Sequence, residues 1–321
     1  MAKPREKKAK RRLRLNVYRS AKGSWPELGP GELLLEYFSD EQLHAWRSRG
    51  KDLQDYHYLW FFELENQRAA NQRRLLDALR TVAGTAVDLD GWGRAMSYKY
   101  SSVPLSCIGS LKWVGGRFNY GVDIDESRFA PFPALYLAED PETGIREMNG
   151  LVREEQRAGL SANELAMCTK TGIAWATVQG RVHNVFDVRR VANLRLFADV
   201  LNTFKLSRNV RDVEAKLNAA PLRLVQSAKE LRKSFMASNW RELPTMFSTP
   251  ANSQLFGHLL SQAGFEGVLY SSTLTQRSNL AIFPRQLENS PSHVRVVQPP
   301  TGAQCTGLSA ETYLDAERAF T

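Results

Sequence analysis

The sequence predicts an α+β protein, with a helical region at residues 32–85 ahead of a mixed catalytic domain at 86–290. Three observations carry that reading. Apolar residues recur at helical spacing up to Gly84. From about residue 86 that period gives way to glycines, aromatics and short apolar runs. Several of those runs, ALYLA, GFEGVLYSS and SNLAIFP, have the length and bounding residues of strands.

The elements follow in order. Residues 1–31 form a basic tail and an irregular leader broken by Gly23, Pro26, Gly29, Pro30 and Gly31. Ser39 with Gln42 three residues on resembles a capping box, and Gly50 is the expected stop of that helix. Leu53, Tyr56, Leu59, Trp60, Leu75, Leu76 and Leu79 then mark one face of a long helix ending near Gly84. Its aromatic run, Tyr56, Tyr58, Trp60, Phe61 and Phe62, suits either nucleobase stacking or packing of a helical layer onto the rest of the protein. ALYLA at 134–138 reads as a strand and 142–156 as a helix. Residues 172–188 read as a hairpin turning near Gln179-Gly180. A mainly helical stretch covers 190–262, with a breaker at Pro221 and a loop from Pro244 to Pro250. Two strands, GFEGVLYSS and SNLAIFP, flank a polar loop. A C-terminal extension, 291–321, offers an edge strand at HVRVV and a closing helix, AETYLDAERAF.

Composition excludes several classes. With 43% hydrophobic and 24% charged residues, the 321-residue chain reads as an ordinary soluble protein. It has no apolar run of the roughly 18 residues a membrane helix needs. The basic N-terminus lacks the apolar stretch of a secretory signal. Three dispersed cysteines, Cys107, Cys168 and Cys305, fit a reducing, cytoplasmic setting without disulfides. The five histidines lack ligand spacing, so no metal or other cofactor is expected. Net charge is +9, and eight Lys or Arg against one Glu place +7 of it in residues 1–14, which leaves +2 for the remainder. Such a tail can hold nucleic-acid phosphates weakly and without sequence preference, or serve as a solubilising leader.

The standard nucleotide and hydrolase motifs are absent: no GxxxxGK[ST], no strand-borne GxGxxG, no GxSxG, no HExxH and no kinase set. The candidate chemistry therefore rests on Lys99, Tyr100, Gly116, Arg117, Asn119, Tyr136, Glu147, Ser271, Ser272 and Asn279. Arg117 follows two glycines, where a guanidinium and exposed N–H groups can grip a phosphate. Glu147 lies on a helix just after a strand, where a carboxylate can stabilise a cationic transition state or accept from a ribose. Each also has a plain structural role open to it. Arg117 can pair with Asp123, Asp125 or Glu126, Glu147 can pair with Arg146, and the serines can be turn residues.

Taken together, GGRFNYG, ALYLAEDPETGIRE, GFEGVLYSS and SNLAIF resemble the RES-domain family, in the family's order, over roughly residues 95–285. That resemblance implies an ADP-ribosyltransferase-like split β-sheet core with surrounding helices. It also implies an enzyme that degrades NAD, releasing nicotinamide by phosphorolysis or hydrolysis. Members include toxins of toxin–antitoxin pairs, so a neutralising antitoxin is the implied partner. NAD is the implied substrate, with inorganic phosphate as co-substrate. By the resemblance Arg117 binds phosphate, Tyr136 brackets the nicotinamide ribose, and Glu147 holds that ribose and its oxocarbenium charge. Ser272, with Ser271 as its rival, orients phosphate or nicotinamide. Lys99 stands where the family usually has an arginine, with Arg94 as a possible substitute. The helices of 32–85 are left to dimerise the chain, recruit the antitoxin or act as a lid. The alternatives are an ADP-ribosyltransferase acting on a protein or nucleic acid, and a catalytically dead nucleic-acid-binding scaffold.

Overall fold

Helix α1 (Asp40–Ala70) runs through Gly50, where the sequence predicts a stop. A glycine ends a helix by turning left-handed, as Gly264 does at φ +94; Gly50 does not take that conformation, so the helix continues. The computed structural model describes residues 40–150 and 172–318. The basic tail, the irregular leader, Ser39 of the expected capping box, residues 151–156 of the expected helix and Cys168 lie outside the described residues. The chain divides into two units, residues 1–49 and 50–321. The second carries the sheet and its cores.

The long helix expected up to Gly84 is two helices, because the chain breaks at Asn71 before α2 (Gln72–Arg80). Tyr56, His57 and Phe61 are buried. The His57 ring stacks on Phe247 at 4.0 Å and meets Trp60 edge-on at 4.7 Å. Tyr56 donates to Glu214 at 2.9 Å. The aromatic run is thus a packing layer.

The fold is α+β, built on one mixed eight-stranded sheet. Its strands are β1 (Thr85–Asp88), β2 (Gly93–Ser97), β3 (Leu135–Ala138), β4 (Ile173–Asp187), β5 (Gly267–Ser271), β6 (Ser278–Ile282), β7 (His293–Val296) and β8 (Gly307–Leu308). The predicted hairpin of 172–188 is instead the single 15-residue strand β4. Its first residues pair with β2, its middle with β7 and β1, and its last three run parallel to β5. Gly180 is there for a different reason than a turn. At φ +139, a Cβ on it would collide with the His293 carbonyl oxygen, so glycine lets β7 approach. β2 bonds to both β3 and β4, and β3-β6-β5-β4 completes a closed circuit. β7, expected at the sheet edge, lies between β4 and the two-residue β8.

Between the strands run α3 (Pro141–Asn149), α4 (Arg195–Leu201), α5 (Arg208–Lys216), α6 (Ala228–Phe235), α7 (Glu242–Phe247) and α8 (Asn252–Ala263), and α9 (Tyr313–Glu317) follows β8. Pro244, expected in a loop, falls within α7, early enough to need no intrahelical donor. Period-two alternation splits the sheet's apolar residues between two cores. Val268, Tyr270 and Ala281 face the helices α2, α4, α6 and α8. Leu269, Leu280 and Ile282 face the other way, onto Leu105, Val178 and Leu287.

Candidate functional site

The candidate site lies on the helix-facing side of β3, β6 and β5. Register aligns Ala138, Asn279 and Tyr270 in one row and Tyr136, Ala281 and Val268 in the next. Asn279 and Tyr270 are buried. Above this floor sits α3, started by an N-cap at Asp140 whose Oδ1 accepts from the Thr143 N–H at 2.8 Å, with Pro141 in its first turn. Buried Thr143 also bonds Asp140 Oδ2 and Thr275 Oγ1, both at 2.9 Å. Glu147 is one turn further along the same face. Its Oε1 accepts from Asn279 Nδ2 at 3.2 Å. Among the described residues, Oε2 has no hydrogen-bond partner. The chain Asp140–Thr143–Thr275 therefore fixes the rotation of α3, and with it the aim of the carboxylate.

Arg117 comes from the loop after the two glycines and is 8% exposed. None of the acids in its own loop holds it. Nη1 donates to the carbonyls of Phe235 at 3.1 Å and Ala237 at 2.9 Å, beside the Trp240 ring. Among the described residues, no acceptor meets its Nε or Nη2. Burial lowers the affinity of the guanidinium for its proton, and Tyr270, Glu147 and Tyr136 oppose that shift. Burial likewise pushes the Tyr136 and Tyr270 hydroxyls up, with Glu147 adding to the effect on Tyr270. The result is a fixed cation with a partly uncommitted carboxylate and two un-ionised phenols near enough to act on its proton affinity.

Gly116 and Asn119 serve the loop. Asn119 Nδ2 donates to the carbonyls of Ser110, Tyr120 and Phe132, and its Oδ1 accepts from Gly116 N–H at 3.1 Å and Tyr136 Oη at 2.8 Å. A Cβ on Gly116 would collide with the Tyr136 hydroxyl, which itself accepts from Phe118 N–H at 2.9 Å. Buried Ser272 caps the 272–275 turn: its Oγ accepts from Leu274 N–H at 3.1 Å and Thr275 N–H at 3.2 Å. Ser271 ends β5 and is half-buried.

Lys99 and Tyr100 form a separate group. Lys99 lies 4.9 Å from the Tyr100 ring, and Lys112 bonds the Tyr100 hydroxyl and lowers its pKa. No hydrogen bond or ion pair among the described residues ties this group to Arg117 or Glu147. Arg94 donates from Nη1 to the carbonyls of Pro104 at 2.9 Å and Ser106 at 2.6 Å, so its guanidinium is committed to that loop.

Sequence reasoning missed four residues here. Tyr270 was visible in principle, since strand parity puts it on the face of its partner Asn279. Gln254, Trp240 and Arg241 come from the long helical stretch and have no local signal. Gln254 is wholly buried and its Nε2 donates to the carbonyls of Val114, Gly116 and Asn119. Arg241 stacks on Trp240 at 4.6 Å and opposes the rise of the Tyr136 and Tyr270 pKa values.

The family model of the RES domain matches residues 92–301. Among solved structures, the chain is similar to one described as "Crystal structure of the M.tuberculosis MbcT-MbcA toxin-antitoxin complex". The identity is 14% and the TM-score 0.36, over 75% of this chain and 96% of that one. No curated protein matches the chain.

Proposed function

Because the chain belongs to the RES-domain family, we propose that it degrades NAD by cleaving the bond between nicotinamide and ribose. The observation that carries the reading is the Glu147 carboxylate, held by Asn279 beside Arg117, Tyr136 and Tyr270. In the proposed reaction the C1′–N bond breaks and its electron pair leaves on neutral nicotinamide. The ribose becomes an oxocarbenium ion, whose positive charge the Glu147 carboxylate stabilises. Oxygen of phosphate or water then forms the new C1′ bond; in the second case a proton is released. The three uncommitted donors of Arg117 suit a phosphate oxygen. No metal or prosthetic group enters this scheme. The same family membership supports action as a cytoplasmic toxin or defence effector, restrained by an antitoxin that covers the site.

The test is nicotinamide release from NAD by the purified chain, with and without inorganic phosphate, beside Arg117→Ala and Glu147→Gln. Release lost in both variants supports the reading, and a phosphate requirement makes the enzyme a phosphorylase. Folded protein that releases nothing in either buffer defeats it. ADP-ribose appearing on a co-incubated macromolecule would then point to a transferase.

A further inference from the structure

A second polar feature of the molecule lies at the carboxyl ends of the parallel pair β4–β5. There a cleft of about 750 Å³ opens between α6 on one side and Ser271, Ser272 and Thr273 on the other. Its volume is that of a small-molecule site. Its α6 wall is chemically one-sided. Lys229, Arg232 and Lys233 stand at i, i+3 and i+4, hence on one face, while Leu231 and Phe235 of the same helix are buried in the core. The same helix also lends the cleft one carboxylate, Glu230, which accepts from the Gln226 N–H at 2.9 Å.

The cationic wall is held in place. Arg232 Nη1 donates to the Arg189 carbonyl at 2.9 Å. Arg189 is gripped in two-point fashion by buried Asp187, at 2.8 and 2.9 Å. Asp187 ends β4, so the wall is referenced to the sheet itself. The cleft also adjoins the candidate site. Ser271 follows Tyr270 in β5, and the lining residue Met236 sits between Phe235 and Ala237, whose carbonyls hold Arg117.

We propose that this cleft is a phosphate-group subsite, with Lys229, Arg232 and Lys233 as its cations and the hydroxyls of Ser271–Thr273 as its neutral donors. The subsite stands on the cleft's own geometry; only the source of the phosphate rests on the NAD reading. That source is either the pyrophosphate of a dinucleotide whose ribose lies at Glu147, or free inorganic phosphate.

The experiment is calorimetric titration of the full chain with ADP-ribose, pyrophosphate and inorganic phosphate, at low and high salt. It compares wild type with a Lys229→Ala/Lys233→Ala double variant. Both lysines are exposed, and thermal unfolding checks that the variant is folded. ADP-ribose affinity is expected to fall about tenfold or more in the double variant, with a weaker dependence on salt. Lysine-dependent binding of ADP-ribose with none of phosphate assigns the group to the dinucleotide. The reverse assigns it to free phosphate. Equal affinities of the two proteins for all three probes overturn the subsite. A second variant, Lys233→Glu, changes the charge by the same two units and should weaken binding comparably, and undiminished binding there also overturns it. Nicotinamide release with no lysine dependence leaves the NAD reading standing without the subsite. Lysine-dependent binding without nicotinamide release does the opposite.

Discussion

The loop that carries Arg117 and the sheet face that carries Glu147 handle their polar atoms in contrasting ways. In the loop, Asn119 makes five hydrogen bonds and Gln254 ties three carbonyls together. Buried amides satisfied to that degree hold a backbone in one shape. On the sheet face, Glu147 makes one hydrogen bond to Asn279, and Arg117 keeps Nε and Nη2 without acceptors among the described residues. Residues of one motif therefore divide into those that build the site and those left available to a ligand. Arg117 and Asn119 are two positions apart in sequence and fall on opposite sides of that division.

The largest effect should come from the available side. Glu147→Gln keeps the side chain's size and its acceptor for Asn279 but removes the charge. It should lower kcat/KM for nicotinamide release by about 10³-fold, the scale of losing one preorganised electrostatic partner. Thermal unfolding should stay within a degree or two of wild type, since the part-buried hydrogen bond to Asn279, of about 1 kcal/mol, is kept. A loss below about tenfold would place Glu147 with the scaffold and erase the contrast.

Asn119→Ala should do the reverse. It strands buried partners, including the Gly116 N–H and the Tyr136 hydroxyl, and should cost about 3 kcal/mol of stability. Urea unfolding measures this directly. Activity should fall with folding, and recover at low temperature where the variant is native. A stable but inactive variant would move Asn119 to the ligand side.

Thr143→Val sharpens the comparison, because Thr143 touches the chemistry only through the rotation of α3. Its removal should lower kcat about tenfold with little change in KM, the pattern of a misaimed carboxylate. Thr143→Ser, which restores the hydroxyl, should recover most of it. A change in KM alone would argue that α3 is set by packing.

Strand content was legible because β3, β5 and β6 announce themselves as short apolar runs between breakers. The fate of β4 was not. Gln179-Gly180 looks like a turn locally, and only the approach of β7 from more than a hundred residues away explains the glycine. Likewise Gly50 carries the usual stop signal, but a stop also requires the left-handed backbone that it does not take. At the site, Arg117, Tyr136, Glu147 and Asn279 were readable from spacing and resemblance. The carbonyls of Phe235 and Ala237, the Trp240 ring and the Gln254 clamp were not, since they come from 118 to 138 residues further on and mark no pattern of their own.

The smallest effect concerns the support beneath the loop. His57 is buried between Phe61 and Phe247, bonds Thr249 Oγ1 at 2.9 Å, and has its pKa pushed down to about 4 by burial. The Thr249 segment leads to Ala251, whose N–H donates to Gln254, the clamp of the Arg117 loop. Because the folded-state pKa lies below the ordinary 6.5, the unfolded chain takes up a proton first as pH falls. The neutral ring's contribution is thus complete above about pH 6.5 and is lost towards pH 4, at up to about 1.4 kcal/mol per pH unit. His258, also lowered to about 4 by burial, acts in the same direction. Urea midpoints should therefore fall between pH 7 and pH 5, and His57→Phe should flatten that slope by about half. An unchanged slope in the variant would show that acid enters elsewhere. A slope that flattens while the pH profile of nicotinamide release stays fixed would separate the scaffold from the Glu147 face by a second, independent criterion.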